Sequence, residues 1–180
     1  MKVLCLLTDG FEELEAIGTI ALLRRAGIQI DIYALENIQA TGRFHITINN
    51  LSNTCHLNFQ TYDALFLPGG PHYQKLSQSD LVKDALHYFY TNKKIIAAIC
   101  AAPTILGKLG YLKGKQYTCF CSMNEDFQGT YHNAHVIIDQ NIITGRSAAS
   151  TIHFAFALIE AIAGKELAQS VKESIYYEES

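Results

Sequence analysis

No stretch of this 180-residue chain approaches the ~18 consecutive apolar residues of a membrane-spanning helix, so no membrane is expected as a partner. Nor does one charge dominate. Lys and Arg are scattered and the formal net charge is -3, which gives no electrostatic reason to expect nucleic acid or an anionic lipid surface. Charged residues make up only 17% of the chain against 49% hydrophobic, a balance that excludes a disordered or tail-like polymer. The first apolar run, Lys2 to Leu7, ends at Asp9-Gly10 without the layout of a secretory leader. Cys5, Cys55, Cys100, Cys119 and Cys121 are therefore expected to be reduced thiols of a cytoplasmic protein, not a disulfide framework. Metal-ligand spacing is missing too. Cys119-Phe-Cys121 has no second Cys or His pair beside it, and His132-Asn-Ala-His135 lacks acidic or thiol partners, so no metal is expected. The turn Thr8-Asp-Gly-Phe-Glu is not a G-x-G-x-x-G fingerprint, and no P-loop occurs, so no dinucleotide site is expected there. Internal repeats, linkers and low-complexity tracts are also absent, which leaves one domain over residues 1–180.

What is present is an alternation of apolar runs and helical patterns. After the strand at Lys2 to Leu7, apolar residues at helical spacing predict a helix from Phe11 to Ala26 with Leu14, Ile17, Ala21 and Leu22 as its buried stripe, stopped by Gly27. Ile28 to Tyr33 is the next strand. Glu36 to Gln60 is polar and Asn-rich, and Phe44 to Ile48 suggests a small antiparallel excursion. Tyr62 to Leu67 and Ile95 to Ile99 read as strands covered on both faces. Ser79-Asp80 caps a helix running to about Tyr90, and a further helix spans Pro103 to Leu109. Gln116 to Cys121 is expected as a strand and 124–133 as a loop. Ala134 to Asp139 and Ile142 to Thr144 are two short strands, and helices follow over Thr151 to Ala163 and to about Ile175. Such alternation predicts an α/β, doubly wound, mostly parallel sheet.

In that fold ligands bind beyond the carboxyl ends of the strands. Ala98-Ile-Cys-Ala-Ala followed by Pro103 resembles a nucleophile elbow, with small residues around a bend and a proline in the first turn of the next helix. At such a turn Cys100 would face the helix dipole and titrate well below the ~8.5 of a free thiol. The other reading is a buried small hydrophobe. Two more strand ends share the edge. Pro68-Gly69-Gly70-Pro71 allows close backbone approach or an ordinary tight turn. The acids Glu12, Glu13 and Glu15 either complement the helix dipole or, for Glu15 near the buried stripe, need a partner. His72 is a candidate for the pocket mouth. Arg146, at a strand end, is an anion contact or a dimer-side salt bridge.

Asp9-Gly-Phe-Glu-Glu-Leu-Glu-Ala16, Tyr62-Asp-Ala-Leu-Phe-Leu-Pro-Gly-Gly70, Ile95-Ile-Ala-Ala-Ile-Cys-Ala-Ala-Pro-Thr104 and Ile143-Thr-Gly-Arg146, in this order, resemble the DJ-one/ThiJ/PfpI superfamily over nearly the whole chain. The acidic start and the Cys-Ala-Ala-Pro elbow are most similar to the branch of the parkinsonism-associated deglycase and its bacterial relatives. The resemblance implies a flavodoxin-like three-layer sandwich, a homodimer and no cofactor. It implies that Cys100 is the nucleophilic, oxidisable thiol, that Glu15 is a protonated acid hydrogen-bonded to it, and that the N–H groups of Gly70 and Ala101 bind an oxyanion.

Residues then sort the superfamily's activities. Ala101 stands where the protease branch carries a histidine, and no histidine starts the His-x-Glu of the amidotransferases. A glyoxalase or protein-deglycase reading remains, in which the thiolate attacks a small carbonyl substrate, an α-oxoaldehyde or its adduct. Relatives often add a histidine to this site; Gln128, His132 and His135 are the candidates here. The alternative is a redox-sensing or chaperone-like stress protein in which Cys100 oxidises to a sulfinic acid held by Glu15. A thiamine-metabolism role, a label of some relatives, has no support in the residues.

Overall fold

The computed structural model describes residues 1–178. β1 (Lys2–Leu7), β2 (Gln29–Ala34), β6 (Ala64–Leu67), β7 (Ile95–Ile99) and β11 (Ile142–Gly145) lie side by side in the order β2-β1-β6-β7-β11, all parallel. That is the strand order of flavodoxin-like sheets. β5 (Ser52–Asn53) extends one edge in parallel, and β10 (Val136–Asp139) closes the other antiparallel to β11. Alternation along β1 shows why the sandwich has three layers. Val3, Cys5 and Leu7 face one hydrophobic cluster, with Ile20 and Leu23 of α1 (Thr19–Arg25) and Phe154, Leu158 and Ile159 of α5 (Thr151–Ala163). Leu4 and Leu6 face the other, with Val82, Leu86 and Phe89 of α3 (Asp80–Thr91) and Ile105 and Leu106 of α4 (Pro103–Lys108). Central strands covered on both faces have no polar side, hence their unbroken apolar runs.

Several elements differ from the sequence reading. The first helix starts later, with a π-helical turn at Leu14–Gly18 before α1. The helix turns the opposite face to the core. Leu14 is 55% and Ile17 36% exposed, Ala21 is exposed as well, and Glu15, Ala16, Ile20, Leu22 and Leu23 are buried instead. Of the expected stripe only Leu22 is inside. The excursion folds as a hairpin of β3 (Ala40–Thr41) and β4 (Thr47–Ile48), and its tail supplies β5, which no pattern announced. α2 (Tyr73–Gln78) was likewise unmarked. The expected strand over Gln116 to Cys121 pairs only at β8 (Gln116–Tyr117), alongside β9 (Thr130–Tyr131) inside the expected loop. Past Tyr117 the chain leaves its ladder to bond with the elbow, the Phe120 N–H donating to the Cys100 carbonyl at 2.8 Å. α6 (Lys165–Ser174) follows Gly164, whose φ of 89° ends α5.

Candidate active site

β7 ends at Ile99, and the next residue is Cys100, a non-glycine at φ 64°. A left-handed conformation of this kind costs about 1–3 kcal/mol and persists only where the surroundings impose it. Here the Cys100 N–H donates to the Gly145 carbonyl at 2.9 Å and its carbonyl accepts from Phe120, while Pro103 opens α4. The elbow is thus held from two neighbouring segments, and its thiol is half-buried at the carboxyl edge of the sheet.

Glu15 comes to the same place from β1. It lies in the π-helical turn, with none of its surface exposed. Its Oε2 accepts from the Gly69 N–H at 2.8 Å, and its own N–H donates to Glu12 Oε2 at 2.8 Å. Oε1 is buried with no regular hydrogen-bond partner. The Cys100 thiol is the side-chain hydrogen-bonding neighbour of this carboxyl. Gly69 is the spacer between the two groups: a Cβ there would lie 2.6 Å from Glu15 Oε2 and 2.7 Å from Cys100 Cβ.

Burial raises both acids of the pair, and Glu15 raises Cys100 further. Burial pushes the Glu15 carboxyl up to about 7, with the Glu12 charge adding to it and the Cys100 and Gly69 hydrogen bonds and Arg43 opposing it. Burial also pushes the Cys100 thiol upward, the Glu15 charge and hydrogen bond push it further, and only the Ala101 N–H favours the thiolate. This reverses the depressed thiol expected from the sequence. α4 is a six-residue helix starting three residues beyond the sulfur, so its dipole is too small and too distant to outweigh burial and a carboxylate neighbour. Thiolate character therefore depends on Glu15 keeping its proton, because a neutral carboxyl removes the repulsion and can donate from Oε1.

A cavity of about 280 Å³ opens over the sulfur, lined by Arg43, Gly70, Pro71, Tyr73, Gln74, Cys100, Ala101, Phe120 and Met123. Among the described residues the Gly70 N–H has no acceptor, and that of Ala101 has only the Cys100 sulfur. These donors are what an oxyanion above the sulfur would need. Gly70 must be glycine at φ 99°, since a Cβ would sit 2.5 Å from the Glu12 N and 2.7 Å from the Gly10 O. Gly70→Ala is accordingly expected to cost about 3 kcal/mol or more of stability, from strain plus backbone collision, read as a lower urea midpoint. A midpoint equal to wild type would contradict that packing.

Two candidates from the sequence lie elsewhere. His72 is 1% exposed and does not line the cavity: its Nδ1 accepts from the Thr8 N–H at 3.4 Å and its Nε2–H donates to the Pro68 carbonyl at 2.9 Å. Burial pushes it down to about 4, so at neutral pH it is an uncharged tie between the ends of β1 and β6. Arg146 also lies off the cavity wall, donating from Nη1 to Asn133 Oδ1 at 3.0 Å. None of Gln128, His132 and His135 reaches the cavity either. His135 hydrogen-bonds Ser150 and stacks on His153, with ring centres 4.5 Å apart. Phe120 and Met123 form that wall instead.

Sequence reasoning missed Arg43. The hairpin that carries it is stitched to the acidic loop. Asp9 Oδ1 accepts from the Thr41 N–H, Glu13 Oε1 from those of Phe44 and Ile46, and the Phe11 carbonyl from that of Arg43. Asp9 and Glu13 are thus structural clamps, a role that an acidic run does not announce. Among the described residues no group of three or more His, Cys, Asp or Glu is placed to hold a metal, and no helix is long and apolar enough to cross a membrane.

Residues 1–161 match the DJ-1/PfpI family. Protein dj-1beta of Drosophila melanogaster is 34% identical over 97% of this chain and 96% of its own, and the Parkinson disease protein 7 homolog of Danio rerio is 32% identical over 95% and 94%. A deglycase of Thermococcus kodakarensis is 28% identical over 81% of this chain and 90% of its own. The crystal structure of Drosophila DJ-1beta superposes with a TM-score of 0.92 at 32% identity, covering 99% of this chain and 98% of that one.

Proposed function

Because the chain belongs to the DJ-1/PfpI family, we propose that it is a single-domain, DJ-1-type stress-response enzyme, a cofactor-independent glyoxalase or protein deglycase acting on small α-oxoaldehydes or their adducts. The observation that carries this reading is the Glu15 carboxyl, buried beside the Cys100 thiol under a cavity that two backbone donors share. The deglycase named among the relatives supports it from outside the chain.

The residues suffice for the chemistry. With Glu15 protonated, the Cys100 thiolate adds to the aldehyde carbon; an S–C bond forms and the carbonyl pair moves to oxygen, which the Gly70 and Ala101 N–H groups receive. The Glu15 proton then reaches that oxygen, giving a hemithioacetal and a buried carboxylate. That carboxylate is basic enough, at about 7, to take the proton from the former aldehyde carbon and return it to the neighbouring one, while the hydroxyl proton passes from the first oxygen to the second, giving a 2-hydroxy thioester. Water hydrolyses the thioester to a 2-hydroxy acid and frees the thiol. The net change is addition of one water, with no outside oxidant or reductant. The test is lactate formation from methylglyoxal without added glutathione. Turnover supports the reading, and no lactate above the buffer rate would contradict it.

The unpartnered Glu15 Oε1 favours a second reading beside the first: it is placed to donate to an oxygen on an oxidised Cys100 sulfur. Mild peroxide should then add two oxygens at Cys100 ahead of the other four cysteines, read by peptide mass. Equal oxidation at all five would count against it. We place the protein in the cytoplasm as a homodimer. Support for the dimer comes from the face on which Leu14, Ile17, Ala21 and Ile46 line an apolar groove open to solvent.

A further inference from the structure

The wall of the Cys100 cavity is rich in hydrogen-bond donors. Besides the Gly70 and Ala101 N–H groups there are the Arg43 guanidinium, the Gln74 amide and the Tyr73 hydroxyl, and no acidic side chain lines the space. Glu15 lies beneath it, fully buried and turned to Gly69. Arg43 enters none of the ion pairs among the described residues. Its backbone N–H donates to the Phe11 carbonyl at 2.9 Å, the guanidinium lies 4.8 Å from the Phe44 ring centre, and its charge acts on Glu15. A guanidinium outside every ion pair among the described residues, on the wall of a small cavity, offers the fork of donors that recognises a carboxylate.

We propose that Arg43 selects for carbonyl compounds bearing a carboxylate close to the reacting carbon, so that the preferred ligands of this cavity are small 2-oxo acids with a free aldehyde rather than neutral α-oxoaldehydes. This rests on the reading of Cys100 as the reacting thiol and names the ligand class of the same site. Glyoxylate is the simplest such compound. Its aldehyde carbon would accept the sulfur as above, the carbonyl oxygen ending as the hydroxyl of a hemithioacetal. It has no second carbonyl to receive the transferred proton, so it should occupy the site without turnover.

A matched pair of alkylating agents isolates the charge. Iodoacetate and iodoacetamide react alike, the sulfur displacing iodide with its bonding pair, and differ in a carboxylate against an amide. The rate of Cys100 modification by each, followed by peptide mass, gives a ratio that is independent of turnover. In Arg43→Met that ratio, iodoacetate over iodoacetamide, should fall at least fivefold from wild type, and Arg43→Lys should restore most of it. Collapse of the cavity in the methionine variant would slow both reagents and leave the ratio unchanged. A change below twofold would overturn the proposal, as would failure of millimolar glyoxylate to protect Cys100 better than acetaldehyde does. Absence of methylglyoxal turnover alongside the expected ratio would count against the enzyme reading and leave the anion selectivity standing.

Discussion

Cys100→Ser should lower lactate formation from methylglyoxal by about 10³-fold or more while leaving the fold intact. Serine is close in size and can keep the left-handed backbone, whose hydrogen bonds to Gly145 and Phe120 use main-chain atoms alone. Thermal unfolding should therefore move by only a few degrees, the equivalent of about 1 kcal/mol. The loss arises because an alcohol, with a pKa far above that of a thiol, gains nothing from a neighbouring acid that favours the anion only of a readily ionised group. The measurement is lactate production per folded protein, with circular dichroism as control. A serine variant that keeps a tenth of the wild-type rate would show that another residue carries the reaction.

Glu15→Gln should do two opposite things. Activity is expected to fall by about 10²–10⁴-fold, because the amide still accepts from the Gly69 N–H but can neither give nor take the proton that the hemithioacetal steps need. Stability should rise, and the pH range follows from the sign of the shift. Glu15 ionises near 4.5 when unfolded and about 7 when folded, so between those values the folded state holds the extra proton. Below the lower value both states are protonated and the carboxyl costs nothing. As pH climbs through the window the unfolded state ionises first, and above about 7 the penalty is complete, at most roughly 3 kcal/mol for a shift of this size. The glutamine variant should thus match wild type in urea unfolding near pH 4 and exceed it near pH 8. Greater stability bought at the expense of rate is the pattern of a strained functional site. A variant less stable than wild type at pH 8 would mean that the buried carboxyl is a structural anchor.

The sheet was legible because its central strands are sandwiched: Ile95 to Ile99 and Tyr62 to Leu67 show no polar alternation, and nothing but a covered parallel strand or a buried helix reads that way. Cys100 was legible as an elbow because local features, small neighbours and Pro103, set the bend. Glu15 was legible as an acid near a core, but its full burial was not, because the helix packs Glu15 and Ala16 inward where the apolar spacing favoured Leu14 and Ile17. Arg43 was not legible. It sits in a polar hairpin whose place is decided by bonds to Asp9, Phe11 and Glu13, some 30 residues earlier, and tertiary contacts of that kind leave no periodicity. His72 misled because a polar residue after Gly-Gly suggests a site loop, whereas both its ring nitrogens are spent on main-chain groups. The thiol's titration was misjudged for a related reason: a helix start can be read from sequence, but the burial and the carboxylate that outweigh it cannot.

One measurement bears on the claim that Cys100 and Glu15 act as a proton-sharing pair. The rate of Cys100 modification by iodoacetamide, followed from pH 4 to 11 in wild type and Glu15→Gln, reports thiolate content directly. The pair predicts that wild type departs from the single step of a free thiol near 8.5, with an inflection near 7 where Glu15 titrates, and that the glutamine variant loses that inflection and titrates in one step. Superimposable profiles for the two proteins, each with one step at the free-thiol value, would contradict it.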